Sequence, residues 1–215
     1  EIYITKNNFK DAKKILKDFG EKYPDNYKSY FELGCLYESM GEFEKAKEQH
    51  EIVSLIEPNV NDIRLAKLET KFGKFELAVN NLKMLYENPN RKNEEKYNIL
   101  QALSDIYYTI GKVEKSIDTS EEAYKLAPEW PITGMNNAVA LARRYIQIGD
   151  DKAADLVLDK AKQIFPVKEK SILGTLLNAS KGELHLEKND YKKVEEIIIE
   201  TDKLIQENGL NMIEA

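Results

Sequence analysis

Apolar residues recur every three or four positions along most of this chain, as in Tyr30, Leu33 and Tyr37 and again in Phe43, Ala46 and Val53. That spacing puts them on one face of a helix, so the pattern predicts a series of amphipathic helices. A fixed frame punctuates the series: Gly41, Phe43, Ala46 returns as Gly73, Phe75, Ala78, 32 residues later. The frame reads Asn7, Phe9, Ala12 upstream, and downstream Gly111, Val113, Ser116, then Gly149, Asp151, Ala154, then Asn189, Tyr191, Val194. A proline follows 17 residues after Asn7, Gly41, Gly111 and Gly149, and 16 after Gly73. Gly or Asn accepts the left-handed backbone that ends one helix, and Pro cannot continue the next. Each repeat therefore reads as helix A, a tight turn, helix B and a proline stop. Helices joined by so short a turn pack antiparallel.

These residues resemble the tetratricopeptide family, whose pattern is an aromatic, Leu-Gly, Tyr, Ala, a large apolar residue and Pro. Tyr30, Leu33, Gly34, Tyr37, Ala46 and Pro58 match it in the first complete unit, with a departure at His50, where the family has a large apolar residue. The fourth unit matches through Leu141, Ala142, Tyr145, Gly149, Ala154, Leu158, Ala161 and Pro166. The third has Leu103, Tyr107, Gly111, Ala123 and Pro128, with Ser116 in place of the usual Ala. Glu69 replaces the aromatic in the second unit, and the fifth has His185 there and no closing Pro. The resemblance implies an all-α fold, an α-solenoid of antiparallel hairpins forming a right-handed superhelix of about five and a half repeats. The expected division is one array over residues 1–215, with a partial repeat at 1–26 and repeats at 27–58, 59–89, 90–128, 129–166 and 167–208. Residues 209–215 read as the start of a cap or of a truncated next helix.

From each proline to the next turn the spacing runs 17, 15, 22, 21 and 23 residues. The added length predicts longer A helices, or longer loops at Asn88–Glu95 and Glu129–Gly134 that raise a wall along one edge. Neither end reads as a polar cap, and Leu210, Met212 and Ile213 are apolar. The chain is therefore expected to be a piece of a longer protein or to lack its cap, and pairing of copies through the ends is a further expectation.

Charge narrows the partners. The 32 basic and 38 acidic residues give a net −6 and are interspersed, which disfavours nucleic acid. The uncharged stretch Pro131–Leu141 is too short and polar to cross a bilayer. Cys35 is the single cysteine, which excludes an internal disulfide. The expected location is cytoplasmic.

Candidate chemistry is sparse. His50 and His185 fall on packing positions, and Cys35 lies beside Gly34 on an A helix as a small apolar thiol. No phosphate loop, metal-ligand spacing or oriented nucleophile is present in the sequence, so no enzyme, cofactor or metal is expected. In the family, partners lie along a concave face lined by the A helices. Carried over residue by residue, that face holds Arg64 and Lys67, then Gln101, Asp105 and Tyr108, then Asn136, Arg143 and Gln147, with Glu183 beyond. Amides and guanidinium groups hydrogen-bond an extended peptide or its carboxylate, and Tyr108 offers flat apolar area. The Lys and Asn by which co-chaperones of the family grip an acidic terminus are replaced by Phe31 and Cys35. Trp130, between Pro128 and Pro131, reads as a local staple. The function expected is a protein interaction scaffold or adaptor that binds a peptide or protein segment. The alternatives are the sensing or substrate-recruiting region of a larger enzyme or regulator, and a self-assembling array.

Overall fold

The computed structural model describes residues 9–126, 131–164, 172–187 and 189–207. Every regular element among them is helical. The chain divides after Asn90 into two compact units.

In the first unit, α1 (Phe9–Lys22) packs on α2 (Tyr27–Ser39), α2 forms a hairpin with α3 (Phe43–Ile56), and α4 (Asp62–Glu69) forms one with α5 (Phe75–Glu87). A 3-10 turn, Thr70–Phe72, completes α4. Ala12, Leu33, Leu36, Tyr37, Ala46 and Leu68 are buried together, with Phe9, Leu16, Met40, Phe43 and Phe72 packed against them. Leu33, Tyr37, Phe43 and Ala46 among them are positions whose helical spacing predicted a buried face.

The second unit pairs α6 (Asn93–Thr109) with α7 (Val113–Leu126), α8 (Pro131–Gln147) with α9 (Asp151–Ile164), and α10 (Ile172–Glu187) with α11 (Tyr191–Glu207). Helix α8 also packs on α7 and on α10. The hairpin turns share one geometry. Gly41, Gly73, Gly111 and Gly149 have φ of 73°, 72°, 75° and 78°, and Asn189 has 57°. The amide after each donates to the carbonyl four residues before it: Glu42 to Tyr37, Lys74 to Glu69, Lys112 to Tyr107, Asp150 to Tyr145 and Asp190 to His185, all at 2.8–3.0 Å. This is the bond of a glycine C-cap. A Cβ at these four glycines would meet nothing within 4 Å, so the left-handed backbone and not lack of room selects glycine.

The extra residues of the second half become helix. Helices α6 and α8 each have 17 residues and α10 has 16, against 13 in α2. Of the two segments expected as loops, the first is already helical from Asn93 and the second from Pro131. The Glu95 carboxylate accepts the Lys92 amide at 3.0 Å and starts α6 early, while Pro131 occupies the first turn of α8, where its missing N–H costs nothing. Trp130, Pro128, Pro166, Leu210, Met212 and Ile213 lie outside the described residues.

Two buried asparagines tie successive repeats. Asn61 Nδ2 donates to the His50 carbonyl at 3.0 Å, and Asn137 Nδ2 to the Ser120 carbonyl at 3.2 Å. His50 and Ser120 hold the same place in their repeats, nine residues after Gly41 and Gly111, and Asn61 and Asn137 each lie 12 residues before the next glycine. The tie survives although the intervening chain differs by six residues, because α8 absorbs the difference as extra helix.

Candidate functional site

His50 is fully buried. Its room comes from Gly34 on the facing helix: a Cβ there would lie 2.4 Å from His50 Cε1. His50 Nε2 is 2.7 Å from Glu38 Oε1, which also accepts Arg64 Nη1 at 3.0 Å. Phe31 lies edge-on to the imidazole at 5.9 Å, and the Arg64 guanidinium sits 5.1 Å over the same ring. Arg64 is therefore held in a cluster rather than presented freely, while Lys67 is exposed. Burial raises the Glu38 carboxyl, but the hydrogen bonds and charge of His50 and Arg64 outweigh it and hold it below its ordinary 4.5. A depressed carboxyl stabilises the fold above its unfolded value, and that contribution is lost as pH falls through its folded value. Urea denaturation of wild type and Glu38→Gln should thus show a stability gap at pH 7 that narrows below about pH 4.5. A gap of constant size would contradict the assignment.

The second unit carries a more extended arrangement. Arg144 is buried, donating from Nε to Ser116 Oγ at 2.7 Å and from Nη2 to Asp105 Oδ1 at 2.9 Å, with its charge 5.5 Å over the Tyr108 ring. Ser104 Oγ accepts or donates to Ser116 Oγ at 2.9 Å and Ser120 Oγ at 2.6 Å. Ser116 Oγ also lies 2.7 Å from the Ser104 carbonyl, to which it donates. Beside this nest, Arg143 Nε and Nη2 fork onto Glu183 Oε2 and Oε1 at 2.7 and 2.9 Å. Ion pairs thus link α6 to α8 through Asp105 and Arg144, and α8 to α10 through Arg143 and Glu183.

Of the residues expected on this face, Asp105 and Tyr108 both meet Arg144, Arg143 meets Glu183, and Asn136 and Gln147 are exposed on α8. Gln101 is half-buried and donates to the Tyr97 hydroxyl at 3.1 Å, where burial pushes the phenol up to about 12. Arg64 and Lys67 belong to the other unit. Glu38 and Arg144 were not among the expected residues. The signal for Arg144 was present: it stands at the repeat position of Leu36, Leu68, Ile106 and Leu184, all buried, so a charge had replaced a core leucine.

Two tetratricopeptide repeat models match the sequence, one over residues 21–48 and the other over residues 97–129. The chain carries tetratricopeptide repeats. No curated protein matches it. Among solved structures, the nearly identical repeats of a Podosopora anserina kinesin light chain superpose with a TM-score of 0.69 at 16% identity, covering 88% of this chain and 99% of that one. BtubC from P. vanneervenii gives 0.66 at 14% identity, with 97% and 92% covered. PilW, a type IV pilus biogenesis factor, gives 0.65 at 13%, with 99% and 91% covered. At such identities the likeness is one of fold, the α-helical repeat of this family. Among the described residues no group of three His, Cys, Asp or Glu side chains is placed to hold a metal ion, and no helix is long and apolar enough to cross a membrane.

Proposed function

We propose that this tetratricopeptide repeat chain is an interaction scaffold, and that it holds an extended peptide or protein segment along the A-helix face of its second unit. The observation that carries this reading is the exposed row on α8. Asn136, Arg143 and Gln147 are separated by seven and four residues, so they share one helix face, and the part-exposed Tyr108 ring on α6 lies under Arg144 of α8. Amides offer donors and acceptors to a passing backbone, and a fixed aromatic ring offers contact area at little entropic cost.

Site-directed photocrosslinking tests it. A benzophenone side chain at position 136 should trap a partner in lysate of the source cell, and the same probe at Lys115, exposed on the helix B α7, should not. Trapping only from position 115 would place the contact on the other face and sink the reading.

A further inference from the structure

We infer that Glu183 occupies the seat of a ligand carboxylate on Arg143, so that the second unit receives an extended segment bearing an acidic side chain by exchanging that carboxylate for its own. The inference rests on the peptide-binding reading and names the chemistry of the occupant. The fork itself is the first observation. Both guanidinium donors facing Glu183 are satisfied side-on by a glutamate, which is the geometry an incoming Glu side chain would reproduce.

The second observation is exposure. The Arg143 and Glu183 side chains are 57% and 47% exposed, so water and a competing carboxylate reach the pair without any movement of the core. An exposed pair of this kind is held only weakly, which makes exchange energetically shallow.

The third is the neighbouring charge. Arg144 is fixed on Ser116 and Asp105 and only 6% exposed, and its Nη1 is buried without a hydrogen-bond partner. It cannot leave when Glu183 does. With Glu183 displaced, the Arg144 charge stays offset by Asp105 while Arg143 is left without a carboxylate, so a single incoming carboxylate restores the balance. Lys181, near Glu183 on α10, is already paired with Asp159 at 3.0 Å and adds no free cation to the seat. Asn136 and Gln147, on either side of Arg143, would hold the backbone that carries the acidic residue.

The probe is a short fluorescein-labelled peptide of Ser, Thr and Asn with one central Glu, acetylated and amidated so that its ends are neutral. Its partners are the same peptide with a central Gln, and the Gln peptide with a free C-terminal carboxylate. Fluorescence anisotropy is read for wild type, Glu183→Gln and Arg143→Gln, with far-UV circular dichroism as the folding control. Glu183→Gln should bind the Glu peptide about twofold to fivefold more tightly than wild type does, leave the Gln peptide unchanged, and lose that gain when Arg143→Gln is added. Equal binding of the Glu and Gln peptides to Glu183→Gln, or no binding of either, overturns the exchange. Preference for the free C-terminus also overturns it, in favour of a chain end. Crosslinking from position 136 without any Glu preference would sink the exchange and leave the scaffold reading standing.

Discussion

Gly34→Ala should destabilise the first unit by about 2–3 kcal/mol, although alanine is the better helix former. The new Cβ would lie 2.4 Å from His50 Cε1, and the ring is fully buried with its Nε2 fixed on Glu38. Either the imidazole moves and loses that bond, or the helices separate. Sister repeats show the remedy. Ala66 and Ala142 stand at the place of Gly34, and Leu82 and Leu158 at the place of His50, all buried. Adding His50→Leu to Gly34→Ala should therefore recover most of the loss. A double-mutant cycle in urea should give a coupling of about 2 kcal/mol. Additive losses would mean that the two side chains do not share space.

Ser116→Ala should cost about 1.5–3 kcal/mol even though alanine is what the repeat pattern expects there. It strips a buried guanidinium Nε of its acceptor while Arg144 Nη1 is already without one. Replacing Arg144 by Leu as well should restore stability to the wild-type value or above it, because a well-packed apolar pair does not have to desolvate a charge. Thermal and urea denaturation of both variants check this. If Ser116→Ala alone is neutral, the Arg144 charge is satisfied elsewhere.

Helices, turns and stops were legible because each rests on local chemistry: apolar spacing, a glycine that tolerates positive φ, a proline that cannot donate. The row Asn136, Arg143 and Gln147 came instead from the family resemblance, and helical spacing adds only that the three share one face. What those residues touch was not legible. Arg144 reaches Asp105 across 39 residues, Arg143 reaches Glu183 across 40 and Arg64 reaches Glu38 across 26, and no local pattern pairs them. His50 was placed correctly on a packing position, but its tolerance comes from the absence of a side chain at Gly34. The growth of α6 and α8 was open between helix and loop because length alone does not say where a helix starts. The Lys92–Glu95 box and Pro131 decide it.

The asparagine ties bear on how such a gene changes length. A polar residue stands at the His50 place in the first and third complete repeats, and the repeat after each supplies Asn61 or Asn137. At that place the second and fourth carry Leu82 and Leu158, and the repeats after them carry Ile99 and Leu177 where the asparagines would be. Each asparagine bonds a backbone carbonyl, which every residue offers, so a repeat lost or duplicated at that place still presents an acceptor whatever side chain it carries. The tie thus constrains the residue that donates and leaves the receiving side chain free to vary, as His50 and Ser120 already do.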